Sequence, residues 1–274
     1  MSDDRRQDMY RMPTVFGPAT GPRRGPDGRI FDCINSPIST QISVAFVSNA
    51  AQLQRLLPDC FELAGEPIVT VTATCMKEID WLAGRGYNML GVSFPARFCG
   101  ARDRLTGSFL TVLWENLTDP ILTGREELGF AKIYCALPDP EITNDTASAS
   151  ANWMGFEFMQ MELTDLSEGA DDAPQQEPPS AGLLHYKYIP RTGEWGTADC
   201  EYAVLTPATG SHARVLGRWS AQGHVSWNRA RWEDLPTQYN IVNGIADLEV
   251  HRWLQATMTK TVGGKDLSDQ RILA

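Results

Sequence analysis

The sequence predicts an α+β protein that is mainly β: a single domain built on a curved or closed antiparallel sheet, with a few marginal helices. Two observations lead there. Short runs rich in β-branched and aromatic residues recur from residue 42 to residue 220 and outnumber helical patterns. The 274 residues are 42% hydrophobic, enough for one large core, and contain no repeat or heptad that would divide it.

The elements follow in order. Residues 1–30 combine Arg, Asp, Gly and Pro, as in Gly21-Pro22-Arg23-Arg24-Gly25-Pro26, and read as an extended arm ahead of a domain over residues 31–274. After a strand at 42–47, Asn49 is placed to cap a helix over 50–57, which Pro58 stops. Strands are expected at 68–75, 88–94, 108–115 and 129–136. Over 153–163, Phe156 and Phe158 fall on one alternation and Met159, Met161 and Leu163 on the other, so that strand is either bulged or buried on both faces. Residues 166–180 are polar and Pro-rich, which predicts a mobile surface loop. Three more strands follow, around 183–190, 200–205 and 212–220. Residues 241–258 show helix-like spacing of Ile245, Leu248 and Trp253 together with strand-like alternatives, and their type stays open.

Composition narrows the function. With 34 Asp and Glu against 24 Lys and Arg, a nucleic-acid partner is not expected. The cysteines are scattered with no C-x-x-C pair and the histidines are dispersed, so no metal site is expected. Cys75 and Cys135 sit in apolar alternating runs and read as small buried hydrophobes. His224 and His251 read as packed or partly exposed rather than catalytic. The first residues are charged and no run is long and apolar enough to span a bilayer, so the chain reads as cytoplasmic, with no membrane partner. Nucleotide-binding, metalloprotease and α/β-hydrolase motifs are absent, and no cofactor is expected.

The stretch that carries chemistry runs from Asp119 to Tyr134. If residues 129 onward form a strand, alternation places Phe130, Lys132 and Tyr134 on one face and Ala131, Ile133 and Cys135 on the other. An ammonium then lies between two aromatic rings, although the same pattern suits a lysine that buries its stem and sends its charge to water. Gly124-Arg125-Glu126 followed by Gly129-Phe130-Ala131-Lys132 resembles the signature of the acetoacetate decarboxylase superfamily, in which a Gly-Arg-Glu turn precedes the imine-forming lysine. Leu56-Leu57-Pro58, Val92-Ser93-Phe94, the run from His185 to Pro190 and Leu235-Pro236 match further family segments in the same order, so the resemblance covers residues 30–274.

The resemblance implies an acetoacetate decarboxylase-like fold, a Schiff base between Lys132 and a small keto acid, and a homo-oligomer, tetramer or larger. Only the neutral amine attacks a carbonyl, and an ordinary lysine titrates near ~10.4. Ile133 stands where the decarboxylases carry a second lysine, so activation by an apolar pocket, with no charged neighbour, is expected. The positions of the family's arginine and two glutamates fall on Ser39, Thr72 and Arg85, and none is retained. The departure favours a branch that uses the derived enamine as a carbon nucleophile. The leading reading is therefore a pyruvate aldolase-dehydratase, a lyase acting on a keto acid and an aldehyde. Decarboxylation of a β-keto acid is the alternative, and a non-catalytic small-molecule binder the alternative of another class. In the leading reading Lys132 forms the imine, Arg85 pairs with the substrate carboxylate, and Glu126, Tyr87 or Glu115 moves protons. Phe130 and Trp114 would contact substrate. Trp114 also suits the core, Arg125 and Glu126 also suit a structural ion pair, and a buried Glu115 needs a partner.

Overall fold

The computed structural model describes residues 12–13, 25–169 and 180–274. The expected arm thus lies largely outside the described residues, as does most of the expected loop, although residues 166–168 continue a strand. Strand β1 (Ile38–Val47) leads to Asn49, whose side chain accepts from the N–H groups of Ala51 and Gln52 and so caps α1 (Ala50–Gln54). That helix ends at Gln54, short of residue 57. Next come β2 (Phe61–Leu63), β3 (Ile68–Ile79), β4 (Arg85–Cys99) and β5 (Arg104–Glu115). Helix α2 (Thr118–Thr123) runs into a π-helical turn, Gly124–Leu128, ahead of β6 (Lys132–Tyr134). Then β7 (Glu141–Ile142), β8 (Ala147–Trp153), β9 (Phe156–Glu168), β10 (Gly182–Pro190), β11 (Ala198–Pro207) and β12 (Arg214–Trp227) follow. Helix α3 (Tyr239–Ala246), β13 (Arg252–Trp253), β14 (Ala256–Val262) and β15 (Arg271–Ile272) close the chain, so residues 241–258 prove to be a helix followed by strands.

All these strands belong to one open sheet, ordered β15-β11-β10-β5-β4-β3-β1-β14-β12-β9-β8-β7, with β2, β6 and β13 attached beside it. The protein is mainly β as expected, but the sheet is neither closed nor wholly antiparallel: β10 and β6 each run parallel to β5. Alternation fixes its register. On β3, Val69, Val71 and Ala73 enter the core and Thr72 and Thr74 face the other way; Ile42, Val44 and Phe46 on β1 and Leu90, Val92 and Phe94 on β4 continue the core face. Full burial of each large apolar side chain contributes about 1.5–3 kcal/mol, so a one-residue slip, which would turn every one of them outward, is strongly disfavoured. Cys75 and Cys135 are buried free thiols.

Two strand expectations are corrected. The strand expected over 153–163 begins only at Phe156, since Trp153 ends β8 and the chain turns at Met154 and at Gly155 with its positive φ of 92°; the bulge expected as one alternative is present. Ala151 pairs with Met159 and Asn152 with Glu157, which leaves Phe158 as an extra residue, and this bulge buries Phe158 and Met159 in succession. The strand expected over 129–136 shrinks to β6, because Gly129 (φ 76°) takes the left-handed conformation that ends the π-helical turn.

Candidate active site

Opposite the core, the sheet carries a largely apolar cavity of about 500 Å³, within the range of small-molecule sites. Its floor is made by alternate residues of adjacent strands: Ser39 and Gln41 of β1, Thr72 and Thr74 of β3, Tyr87, Met89 and Gly91 of β4. Register lines them up, with Gln41 opposite Thr74 and Thr74 opposite Met89. Leu110 and Leu113 of β5, with Phe130, wall one side, and Lys132 enters beside them.

Parallel neighbours need a crossover, and α2 with the π-helical turn supplies it between β5 and β6. It sets Lys132 opposite Leu113, with the Glu115 side chain within reach of the lysine. Lys132 is 6% exposed and Glu115 fully buried; the lysine Nζ lies 2.8 Å from Glu115 Oε1 and donates to the Pro120 carbonyl at 3.1 Å. The ammonium is 5.4 Å from the centroid of the Phe130 ring, whereas Tyr134 is exposed, so one aromatic face rather than two meets the lysine. Arg125 Nη1 donates to the Lys132 carbonyl at 2.7 Å, which binds the turn to the strand it delivers.

The carboxylate is a charged neighbour where an apolar pocket with none was expected. An apolar pocket alone would favour the neutral amine, but a buried anion in contact favours the ammonium. Glu115 is instead placed to receive the lysine's proton, a transfer that turns an ion pair costly to desolvate into a neutral pair.

The other expected residues divide. Tyr87 and Phe130 line the cavity, and so do Ser39 and Thr72, two of the three positions at which the resemblance places charged residues. Arg85, Glu126 and Trp114 do not line it. Arg85, at the exposed start of β4, donates to the Leu82 carbonyl. Glu126 enters the hydrogen-bond network through its backbone carbonyl, which accepts from Lys187. Trp114 points through the sheet into the core, packs on Phe158 and Trp227, and donates its indole N–H to Gln238 at 2.8 Å. The residue next to it therefore faces Lys132. His224 and His251 are exposed, beside Glu162 and Glu249.

Sequence reasoning about chemistry passed over His185. It is fully buried, stacks on Phe130 with ring centroids 4.3 Å apart, and bonds through Nδ1 to the Gly129 carbonyl at 3.0 Å and through Nε2 to Thr206 Oγ1 at 3.2 Å. A carbonyl can only accept, so Nδ1 carries the proton. Burial pushes the imidazole down to about 4, and the Lys132 charge acts in the same direction against the Gly129 bond. The folded value lies below the ordinary one, so the unfolded chain takes up the proton first as pH falls. This contribution is complete above about pH 6.5 and is lost toward about pH 4, by at most about 3–4 kcal/mol. Urea titrations across this window should show stability falling with pH in the wild type and less steeply in His185→Phe; equal slopes would assign the acid sensitivity elsewhere.

Comparison with known proteins now adds to this geometry. The acetoacetate decarboxylase (ADC) family profile matches residues 11–267. No curated protein sequence matches the chain. Among solved structures, an acetoacetate decarboxylase superposes with a TM-score of 0.70 at 14% identity, covering 100% of this chain and 98% of its own. MppR, an enduracididine biosynthesis enzyme bound to the condensation product of pyruvate and imidazole 4-carboxaldehyde, superposes with a TM-score of 0.62 at 12% identity, covering 93% and 98%. An acetoacetate decarboxylase from Legionella pneumophila gives 0.61 at 18% identity, covering 91% and 92%. At these identities the likeness is one of fold.

Proposed function

Because this chain belongs to the acetoacetate decarboxylase family, we propose that it is a lyase that forms an imine between Lys132 and a small keto acid, joins the derived enamine to an aldehyde and expels water. The observation that carries the reading is a lysine 6% exposed, on the wall of a ligand-sized cavity, with a buried carboxylate 2.8 Å from its Nζ.

Glu115 takes a proton from the Lys132 ammonium, and the free amine adds to the ketone carbon of pyruvate. Loss of water gives the iminium. Removal of a proton from the adjacent methyl carbon gives the enamine; its C=C electron pair forms the bond to the aldehyde carbon, the nitrogen lone pair re-forms the iminium, and the aldehyde oxygen takes up a proton. Loss of a second proton from the former methyl carbon expels the new hydroxyl as water and forms the C=C bond, and hydrolysis at the lysine releases an unsaturated keto acid and regenerates the amine. Glu115, in contact with the nitrogen, moves protons there, and Tyr87, on the cavity floor, serves the aldehyde oxygen. Phe130 covers the ammonium and keeps bulk water from the nitrogen.

Condensation is favoured over decarboxylation by the cavity floor. Where the decarboxylases carry an arginine and a glutamate, this floor carries the neutral Ser39 and Thr72. MppR's bound product, formed from pyruvate and an aldehyde, supports the same reading at the level of a relative. Arg85 takes no part in this mechanism. As in the family, assembly as a homo-oligomer in the cytoplasm belongs to the proposal; among the described residues no helix is long and apolar enough to cross a membrane.

The test is the intact mass after borohydride reduction in the presence of pyruvate or of acetoacetate, for wild type and Lys132→Ala. A reduced adduct with pyruvate is expected in the wild type only, and pyruvate plus an aldehyde should then give a conjugated absorbance without carbon dioxide. Carbon dioxide from acetoacetate would make the protein a decarboxylase. No adduct with either acid would leave a binder of small molecules.

A further inference from the structure

Two buried polar residues on β10 take no direct part in that mechanism, yet both grip the segment that delivers its nucleophile. His185 and Lys187 are two apart on one strand and so share a face, and they are 0% and 8% exposed. Lys187 Nζ donates to the carbonyls of Glu126 at 2.6 Å and Glu127 at 3.4 Å, the last turn before Gly129, where an ammonium also suits the helix dipole. His185 holds the carbonyl of Gly129 at 3.0 Å. Three carbonyls at the end of the π-helical turn are therefore held from one strand.

The topology explains why this grip matters. β10 pairs with β5 only at Ser108 and Phe109, and β6 takes the same edge of β5 at Leu113, Trp114 and Glu115. Beyond Phe109 the two strands part, and the π-helical turn fills the wedge between them. The turn passes its position on to the lysine by two routes. Arg125 holds the Lys132 carbonyl at 2.7 Å, and Gly124 packs so close to the Lys132 side chain that an added Cβ would lie 2.5 Å from Cε. Lys187 adds a steric limit of its own, since a Cβ on Gly129 would lie 2.7 Å from the Lys187 Cβ.

We infer that His185 and Lys187 are positioning residues for the nucleophile: β10 clamps the turn and so sets the distance between Lys132 and Glu115. The inference rests on Lys132 being the reactive amine. It assigns a role in rate rather than in substrate affinity, because neither side chain lines the cavity.

The experiment measures the single-turnover rate of borohydride trapping at saturating pyruvate, together with KM, on the full-length protein. Lys187→Met is expected to slow trapping about tenfold to a hundredfold with KM unchanged, because a displacement of about an ångström has that order of effect. Lys187→Arg can still donate to the same carbonyls and should recover most of the rate. His185→Asn retains a donor near the position of Nδ1 and should keep more of the rate than His185→Phe, which retains only the ring. Loss of folded protein with an unchanged rate per folded molecule, or equal losses in Lys187→Met and Lys187→Arg, would overturn the clamp. If the wild type traps no keto acid, the Schiff-base reading fails on its own. The clamp is then decided by the rate at which acetic anhydride acylates Lys132, read by peptide mass, where the same order of variants is required.

Discussion

Replacing Gly124 by alanine is expected to slow imine formation about a hundredfold or more, and to lower stability by no more than about 3–5 kcal/mol, the cost of parting a buried ion pair. Gly124 has ordinary right-handed helical angles, φ −64° and ψ −38°, so alanine meets no backbone penalty there and brings a better helix propensity. What its methyl meets is the nucleophile. A Cβ built at Gly124 lies 2.5 Å from Lys132 Cε and 2.6 Å from Nζ, closer than atoms can pack. These are the mobile far atoms of a long side chain, so the lysine rather than the backbone gives way, and it leaves its 2.8 Å contact with Glu115. Borohydride trapping reads the lost rate and urea unfolding the stability lost with the ion pair. Gly244→Ala, in α3, is the matched control, because a Cβ there meets nothing within 4 Å and should stabilise slightly without touching the rate. A Gly124→Ala protein that traps pyruvate at the wild-type rate would show that the lysine does not need this position.

The same contact marks the limit of what the sequence made legible. Strand alternation was readable wherever one face enters the core, as on β1, β3 and β4, because burial of every second side chain is a local signal with a period of two. The Asn49 cap was readable for a similar reason, since a cap acts within three residues. The bulge at Phe158 showed itself as a conflict between two alternations, and the conflict was real. Lys132 was legible through the order of family segments, and Glu115 through the cost of burying a carboxylate without a partner. The pairing of the two was not, because it depends on a parallel strand added by a crossover, and sequence spacing says nothing of which edge β6 joins. Arg85 failed for a related reason. Alternation assigns it the face of Tyr87, but the strand begins there, and the side chain turns to the Leu82 carbonyl instead of into the cavity. The alternation of His185 and Lys187 on β10 was available as a signal, since polar residues at successive inward positions of a strand need partners, yet only the fold shows that the partners are three carbonyls of one turn.

Glu115→Gln is expected to separate two events that the wild type couples, deprotonation of Lys132 and proton transfer during turnover. Glutamine keeps the shape of the side chain and removes its charge, leaving the Lys132 ammonium with the Pro120 carbonyl and the face of Phe130. Removing one partner of a buried ion pair strands the other charge, at a cost of about 3–5 kcal/mol. The lysine can escape part of that cost by shedding its proton, at about 1.4 kcal/mol per unit of displacement. Desolvation then lowers its folded-state value below the ~10.4 of an unfolded lysine, so the unfolded chain binds the extra proton. Stability of the variant must therefore rise with pH up to about 10. In urea, its deficit against wild type should be larger at about pH 6 than at about pH 9. The same shift frees the amine at lower pH, so trapping of pyruvate should extend to more acid conditions than in the wild type. Turnover with an aldehyde should nevertheless fall by about 10²–10⁴, because no carboxylate remains to take up and return protons at the imine. Trapping and turnover that fall together would mean that Glu115 serves only to seat the lysine, and turnover equal to wild type would move the proton transfers to Tyr87, across the cavity floor.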